Sequence, residues 1–274
     1  MKLVKLVTPA AIAMLLLVIS CTGPAGTPGV PTPTPTPPAP GKTIVVNSTA
    51  DSGPSTLHQA LLDAQSGDTI TFDQAIFPLS APATIYLTTS LPLISQGNLK
   101  IDASNAGVIL DGSNISEEYA HGLDINSNGN IIHGLQIVNF SPGTGIALSG
   151  GAQNNTIGGD RSVGSGPLGQ GNLVSKVNIG IALFDDGTSF NTITGNLIGT
   201  DPAGTEAWGN DVGVDILKGA SHNIIGLDNI IAYSSEWGIA IRDSNSFGNT
   251  ITQNSTKKFY LSYPSAKGEG KWVI

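Results

Sequence analysis

The sequence predicts an all-β protein whose chain winds into a parallel β-helix with three short strands in each coil. One apolar phrase recurs five times, as "GLDI", "GIAL", "GIAL", "GVDI" and "GIAI", starting at Gly122, Gly145, Gly180, Gly213 and Gly238. An asparagine-centred phrase follows four of them, as "NTIGG", "NTITGN", "HNIIG" and "NTITQN". A third apolar phrase, as "NLVSKV", "NLIGT" and "NIIAY", completes the period. Short strands repeated in this way are typical of solenoids, in which each coil pairs with the next.

The spacing of the repeats favours three strands in each coil. Gly122 and Gly145 lie 23 residues apart, and the longer middle periods contain two glycine-rich inserts, at 159–170 and 199–210. Within each phrase apolar and polar residues alternate, which indicates strands with one face in a core. A leucine-rich repeat is the structural alternative, but it would show regular leucines and one asparagine in each repeat.

The chain begins with a predicted export signal at residues 1–20. Lys2 and Lys5 precede the apolar stretch "LVTPAAIAMLLLVIS", which is short for a membrane span. The following letters "VISC" resemble the lipobox of bacterial lipoproteins, and this resemblance implies that Cys21 carries a lipid and begins the mature chain. The alternative is a plain secretory signal. Cys21 is the only cysteine, which excludes a disulfide within the chain. We therefore expect an exported protein, anchored to a membrane and facing the periplasm or the cell exterior.

Residues 21–42 are predicted to be a spacer between this anchor and the folded body. The stretch "TPTPTPPAP" favours an extended polyproline II conformation, since proline lacks the N–H that helices and sheets require. The repeats assign the body to residues 43–255. Residues 256–274 lose the pattern, and we expect either a loose tail or the cut end of a longer repeat.

The start of the body predicts a short helix that covers the first coil. Thr56 and Gln59 have the spacing of a capping box. The apolar residues that follow fall on one helical face; they are Leu57, Ala60, Leu61 and Ala64. An uncovered first coil would expose unpaired backbone, so a cap is expected there. The phrases "DTITF", "TIYLT", "LKIDA" and "VILDG" predict the strands of the first coils.

The asparagine-centred phrases predict a ladder of stacked side chains. Equivalent residues of successive coils form columns, and a buried amide can bond to the next amide in its column. The predicted rungs are Asn130, Asn155, Asn191, Asn223 and Asn249. The predicted interior stack, two residues later, is Ile157, Ile193, Ile225 and Ile251. These asparagines are interpreted as structural.

Residues 43–73 resemble the start of exported bacterial β-helix proteins of the CSLREA-domain type. In that family a Cys-Ser-Leu-Arg-Glu-Ala-Ile helix follows a "VNSTAD" strand and precedes "GDTITF". This chain has "VNSTAD", "STLHQAL" and "GDTITF", so it lacks the Cys, Arg and Glu and is a divergent member. The stretch "GNLIGTDPAGTEAWGNDVGVDILKGASHNIIG" also resembles repeats of those surface proteins. The resemblance implies a right-handed β-helix and export, and it implies little about activity.

Composition and charge exclude some classes of function. The net charge of −8 and the pI of about 4.7 argue against nucleic acid as a partner. His121, His133 and His222 share no ligand spacing, and the aspartates form no calcium-loop motif. We therefore predict neither a metal nor a cofactor.

Aligning the repeats at their glycines predicts columns of residues on the outside of the coils. Two residues after the glycine the column contains Asp124, Ala147, Ala182, Asp215 and Ala240. Five residues after it the turn contains Ser127, Gly150, Asp185, Lys218 and Asp243. The last three would stack as acid, base and acid, with Asp186 and Arg242 beside them. Such alternation also has a structural interpretation, because it avoids like charges in adjacent coils.

The candidate catalytic residues are Asp185, Asp186, Asp215 and Arg242. Clustered acids and bases could serve a polysaccharide lyase or a glycoside hydrolase acting on an acidic polysaccharide. The phrases "FDDG" and "AIRD" resemble the paired Asp and the Arg of polygalacturonase-like enzymes, although that family's Asn-Thr-Asp and Gly-His-Gly are absent.

Two tryptophans are candidates for carbohydrate binding. Trp208 lies in the second insert and Trp237 opens a strand, where an exposed indole could stack on a sugar ring, and each could equally be a buried filler. Alanines flank Asp215 in its column and the sequence implies no deep cleft, which favours a surface protein that binds or adheres to polysaccharide or matrix glycan over a carbohydrate-active enzyme.

Overall fold

The computed structural model describes residues 41–256 and the backbone of residues 259–261. The predicted export signal, Cys21 and nearly all of the spacer lie outside the described residues. The elements, in chain order, are β1 (Thr43–Val46), α1 (Leu57–Asp63), β2 (Thr69–Phe72), β3 (Ala83–Tyr86), β4 (Lys100–Asp102), β5 (Val108–Asp111), β6 (His121–Ile125), β7 (Ile131–His133), β8 (Leu135–Val138), β9 (Thr144–Leu148), β10 (Thr156–Gly158), β11 (Leu173–Ser175), β12 (Ile179–Phe184), β13 (Thr192–Thr194), β14 (Leu197–Ile198), β15 (Val212–Leu217), β16 (Ile224–Gly226), β17 (Ile230–Ile231), β18 (Trp237–Ile241), β19 (Thr250–Thr252), β20 (Ser255–Thr256) and β21 (Phe259–Leu261).

The strands form three parallel sheets, as the repeat predicts. Sheet A joins β1, β2, β4, β7, β10, β13, β16 and β19 in that order. Sheet B joins β3, β5, β8, β11, β14, β17 and β20, and sheet C joins β6, β9, β12, β15, β18 and β21. Neighbours in a sheet are separated by one turn of the chain, and from β4 to β21 each coil supplies one strand to each sheet. The parallel β-helix is confirmed.

The core fills the interior between the three sheets. In β13, Ile193 is fully buried, whereas Thr192 and Thr194 on either side of it are only partly buried. Ile193 pairs in register with Ile157 and Ile225, so the predicted isoleucine stack lies inside. Each fully buried side chain of this size contributes about 1.5–3 kcal/mol through removal of apolar surface from water.

The recurring glycine of the "GIAL" phrase occupies a crowded corner between sheets B and C. A Cβ on Gly145 would lie 2.1 Å from Cγ1 of Val174 and 2.8 Å from the carbonyl oxygen of Gly180. A Cβ on Gly213 would lie 2.6 Å from Cγ2 of Ile231. The glycine is therefore required by lack of space beside the core.

Helix α1 packs on the first coil, as predicted. Leu57, Ala60 and Leu61 are buried in the same core cluster as the strands. Thr56 caps the helix by accepting a hydrogen bond from the Gln59 N–H at 3.2 Å. The reciprocal bond of a capping box is replaced, because the Gln59 amide donates to Asp63 at 2.8 Å.

The two glycine-rich inserts lie against the outer face of sheet B. Leu168 from the first insert is buried in a second hydrophobic cluster with Leu173 and Leu197, and Trp208 from the second insert packs against it. Arg161 ties the first insert down by donating to the carbonyl oxygens of Gly195, at 3.3 Å, and Asp228, at 2.9 Å. The inserts thus cover apolar surface that would otherwise face water.

The repeat continues into the stretch predicted to be a tail. Strand β20 pairs with β17, and the backbone of β21 pairs with β18. In the described part of the chain, the structure contains no helix with the length and apolar character needed to cross a bilayer.

Candidate functional site

A continuous asparagine ladder supports the turn that precedes sheet A. The Asn130 amide donates to Oδ1 of Asn155 at 2.8 Å, and that of Asn155 donates to Asn191 at 2.9 Å. The Asn191 amide donates to Asn223 at 2.9 Å, and that of Asn223 donates to Asn249 at 3.1 Å. The predicted rungs are confirmed, and they hold five successive turns in one register.

The residue before each rung has a left-handed backbone conformation. The φ angles of Gly129, Asn154 and Gly248 are +73°, +57° and +67°. Phe190 and His222 occupy the same place in their coils, with φ of +57° and +56°. Glycine and asparagine tolerate this conformation, whereas a bulky side chain is strained in it. The same left-handed conformation occurs at many other non-glycine residues in the turns, so it is a recurring feature of this fold.

These two strained residues belong to a row of exposed rings. The rings of Phe190 and His222 are stacked, with centroids 5.6 Å apart and planes at 26°. The ring of Phe247 meets His222 edge-on, with centroids 5.0 Å apart. Phe190 and Phe247 are 56% and 54% exposed. We call Phe190, His222 and Phe247 the ring row; it extends along three coils.

The ring row borders the outer face of sheet A, where hydroxyl groups predominate. Thr192 and Thr250 follow the rungs beside the ring row, and Thr194 and Thr252 point to the same side two residues later. In the described strands of this sheet the charged residues are Lys100 and Asp102, whose side chains form an ion pair at 2.7 Å. This face is therefore close to neutral and rich in hydrogen-bonding groups.

The structure brings two of the four candidate catalytic residues into contact. Nε of Arg242 donates to Oδ1 of Asp215 at 2.7 Å and to Oδ2 at 2.8 Å. Asp215 lies on the outside of sheet C, as predicted, but it is only 1% exposed. Burial raises its pKa, and the bond from Arg242 opposes this shift. Both carboxylate oxygens are therefore occupied in an ion pair whose acid is buried and whose arginine is partly exposed.

The predicted column of acid, base and acid is present, and its carboxylates bind backbone amides. Oδ2 of Asp185 accepts a hydrogen bond from the Gly150 N–H at 3.4 Å. Asp243 accepts one from the Lys218 N–H. In the same turns, the hydroxyl of Thr188 accepts a hydrogen bond from the N–H of the residue after Gly150, and the hydroxyl of Ser246 accepts one from the N–H of the residue after Lys218. Asp-x-x-Thr and Asp-x-x-Ser thus each connect their own coil to the coil before it, which is a structural use of these acids.

The remaining candidates lie apart from the Asp215–Arg242 pair. Asp186 is exposed in the turn after β12. Trp208 is half-buried against the second hydrophobic cluster, on the outer face of sheet B, and the Lys176 ammonium lies 4.2 Å from its ring centre. Trp237 is half-buried at the start of β18, in register with Val212. The structure does not gather the four candidate catalytic residues into one cluster.

Two features of the turns were missed by the sequence interpretation. A second amide ladder joins Asn172 to Asn196 at 3.1 Å, Asn196 to Asn229 at 3.1 Å and Asn229 to Asn254 at 2.8 Å. Its signal was the asparagine that opens "NLVSKV", "NLIGT" and "NIIAY". The ring row was also missed; its signal was an aromatic ring one or two positions before three of the rungs.

The three histidines of the sequence prediction lie in separate places. Burial lowers the pKa values of His121 in sheet C and His133 in sheet A. His222 belongs to the ring row. Across the described residues, no group of three or more His, Cys, Asp or Glu side chains is arranged to hold a metal ion.

Among solved structures, the chain is similar to the crystal structure of alginate lyase from Paenibacillus sp. str. FPU-7. The two share 17% identity over 78% of this chain and 75% of that chain, with a TM-score of 0.45. No protein-family model and no curated protein matches the chain. The fold assignment therefore rests on the strand pairing of this chain.

Proposed function

We propose that this protein is an exported β-helix, tethered to a membrane through a lipid at Cys21, that binds neutral polysaccharide of a wall or matrix without turnover. The observation that carries the glycan-binding part is the ring row of Phe190, His222 and Phe247. The proposed anchor and export signal rest on the sequence at residues 1–21 and on the resemblance to CSLREA-type surface proteins.

The ring row has the chemistry that a sugar surface requires. Aromatic faces carry negative charge density, and the C–H groups of a pyranose can pack on them. The rings recur once per coil, and coils repeat at about 4.8 Å along the axis. Phe190 and Phe247 each pack against His222 and remain more than half exposed. An extended chain lying along the row could therefore pack sugar units on the exposed parts of these two rings, while its hydroxyl groups meet the threonines of sheet A.

Charge favours a neutral polymer over a uronate. The net charge is −8, and the described strands of sheet A carry no Lys or Arg other than the paired Lys100. An acidic polysaccharide would be repelled by a protein of this charge. The proposed neutral ligand therefore differs from the acidic polysaccharide that the sequence suggested as the substrate of an enzyme.

The arrangement of the acids favours binding over catalysis. A lyase or hydrolase needs acid and base groups that reach the substrate. Asp215 is held by Arg242 and is nearly inaccessible, and Asp185 accepts a backbone hydrogen bond. Asp186 alone does not form a catalytic pair.

Affinity electrophoresis in gels that contain a neutral glucan or xylan tests the proposal. The variants are Phe190→Asn and Phe247→Ala, and the control is Tyr86→Ala, which removes another exposed ring, on sheet B. Phe190→Asn introduces the residue type found at Asn154, so the backbone keeps its conformation. Loss of one ring should weaken binding by roughly tenfold, and Tyr86→Ala should leave it unchanged.

Three results would contradict the proposal. The first is unchanged retardation in both ring-row variants. The second is equal retardation of the wild type by alginate or pectin. The third is release of unsaturated uronate or reducing ends from any of these polymers, which would favour the enzyme.

The proposed anchor is tested separately. Replacing Cys21 with Ser should move the protein from the membrane fraction to the soluble fraction, and mass spectrometry should find the lipid on the wild type. A Ser variant that stays with the membrane, together with a wild type that carries no lipid, would contradict this part.

A further inference from the structure

A cavity lies beside β6, at the edge of sheet C and away from the ring row. Its volume is about 140 Å³. Two loops wall it: one contributes Ser90, Leu91 and Leu93, and the other contributes the run from Glu117 to Ala120. His121 and Asp124 of β6 form its floor. The loops are joined there, because Glu117 accepts hydrogen bonds from both the N–H and the hydroxyl of Ser90.

Two polar atoms of the cavity floor are unsatisfied. Nδ1 of His121 and Oδ1 of Asp124 are buried, and neither has a hydrogen-bond partner among the described residues. Buried polar atoms are nearly always paired, so these two leave the floor of the cavity without internal compensation. Asp124 as a whole is only partly buried, so a ligand in the cavity would meet the other oxygen of its carboxylate. In the same column of sheet C, three other coils have alanine, at Ala147, Ala182 and Ala240, so the strand itself does not need a carboxylate.

The walls of the cavity are negatively charged. Glu117, Glu118 and Asp124 contribute three carboxylates, and no Lys or Arg is present among the described residues that line the cavity. Burial lowers the pKa of His121 and raises that of Asp124. A neutral imidazole carries no positive charge, so His121 does not neutralise the carboxylates that line the cavity.

The rim of the cavity has a strained aromatic residue. Tyr119 is 62% exposed and has a φ of +61°. A bulky residue in this conformation is held by its surroundings, as are other turn residues of this chain. Its ring can face a cation at the entrance, and Leu91 and Leu93 supply apolar walls.

We propose that this cavity binds a small ligand that carries a primary ammonium group, which donates to Asp124 and is surrounded by Glu117 and Glu118. The volume is suited to a single ring or a short amine and not to a larger ligand. The ammonium could come from an amino sugar or from a free small amine. The chemistry recognised is the same in both cases, and this site does not depend on the proposed polysaccharide binding.

Isothermal titration of the full chain at pH 6 tests the proposal with three probes. Glucosamine and ethanolamine carry the ammonium, and glucose is the matched ring without it. Asp124→Ala introduces the residue that three coils already have at this position, so the strand should fold. Asp186→Asn is the control, because it removes the same charge from an exposed turn outside the cavity.

We expect glucosamine to bind and glucose not to bind. Asp124→Ala should weaken binding at least about tenfold, whereas Asp186→Asn and Phe190→Asn should leave it unchanged. Equal affinity for ethanolamine would identify a site for free amines, and binding of glucosamine alone would identify an amino-sugar site. The proposal is overturned if neither amine binds, if glucose binds as well as glucosamine, or if folded Asp124→Ala retains full affinity.

Discussion

Oδ1 of Asn223 accepts two hydrogen bonds from Asn191, one from its side-chain amide at 2.9 Å and one from its backbone N–H at 3.0 Å. Both residues are fully buried. The Asn223 amide in turn donates to the carbonyl oxygen of Thr188 at 3.1 Å and to Asn249. Each rung therefore satisfies main-chain and side-chain groups of its neighbours at once.

Removing a central rung should destabilise the fold. Asn191→Ala and Asn223→Ala should each lower the free energy of unfolding by about 1–3 kcal/mol, because buried donors and acceptors lose their partners. Denaturant unfolding measures the change, with Asn254→Ala, at the partly buried end of the second ladder, as the milder comparison. Tolerance of alanine at both central positions would mean that the ladder contributes nothing to stability.

The corner glycine should not accept a methyl group. Gly145→Ala would place Cβ 2.1 Å from Val174 and should cost at least about 1–3 kcal/mol through overpacking. Gly151→Asn is the control, since a Cβ there meets nothing within 4 Å and Asn tolerates its φ of +83°. Thermal unfolding should show a clear loss for Gly145→Ala alone. Equal melting temperatures would contradict the crowding argument.

At Phe190, the strain of the left-handed backbone should lower the stability of the fold, and the stacking of its ring should offset this loss. Phe190→Asn loses ring stacking but relieves the left-handed strain, so its unfolding free energy should stay within about 1 kcal/mol of the wild type. Phe190→Val loses the ring and keeps the strain, and it should be less stable than Phe190→Asn by about 1–2 kcal/mol. If the two variants were equally stable, backbone strain at Phe190 would be negligible.

The ion pair between Asp215 and Arg242 should show strong coupling in a double-mutant cycle. Arg242→Ala leaves a buried carboxylate without this partner, whereas Asp215→Ala introduces the residue that other coils have there. The double variant should therefore be more stable than Arg242→Ala by about 1–2 kcal/mol, below the range for fully buried pairs because Arg242 is partly exposed. Additive effects, measured by urea unfolding, would show that the pair is not coupled.

Asp243 should make part of the stability depend on pH. Burial raises its pKa, but hydrogen bonds from Ser246 and from the Lys218 N–H outweigh this, so the pKa lies below its ordinary value of 3.8. Its stabilisation is therefore complete above the unfolded-state pKa and is lost as pH falls through the folded-state pKa. Asp243→Asn should be less stable than the wild type at pH 7, and urea unfolding should show this difference shrinking below about pH 4. A difference that stays constant with pH would contradict the assignment.

The repeat, the coil architecture and the first amide ladder could be predicted from the sequence. A period that places "NTI" and "GIAL" at fixed separations forces equivalent residues into columns, and the alternation within each phrase decides which of them face the core. This local pattern alone was sufficient to predict that Asn191 is a rung of the ladder and that Ile193 faces the core. The helix at Leu57 followed from its cap and apolar face in the same way.

The candidate sites were decided by tertiary structure, since their contacts join residues in different coils. Phe190 and His222 are 32 positions apart, and they stack only because the insert at 199–210 folds out of the coil and leaves the register intact. Asp185 looked catalytic in a column of charges, but its environment is set by the N–H of Gly150 in the coil before. The cavity at Asp124 needs two loops that no repeat defines. Side-chain environment depends on neighbours across the stack, and the pattern along one strand does not contain that information.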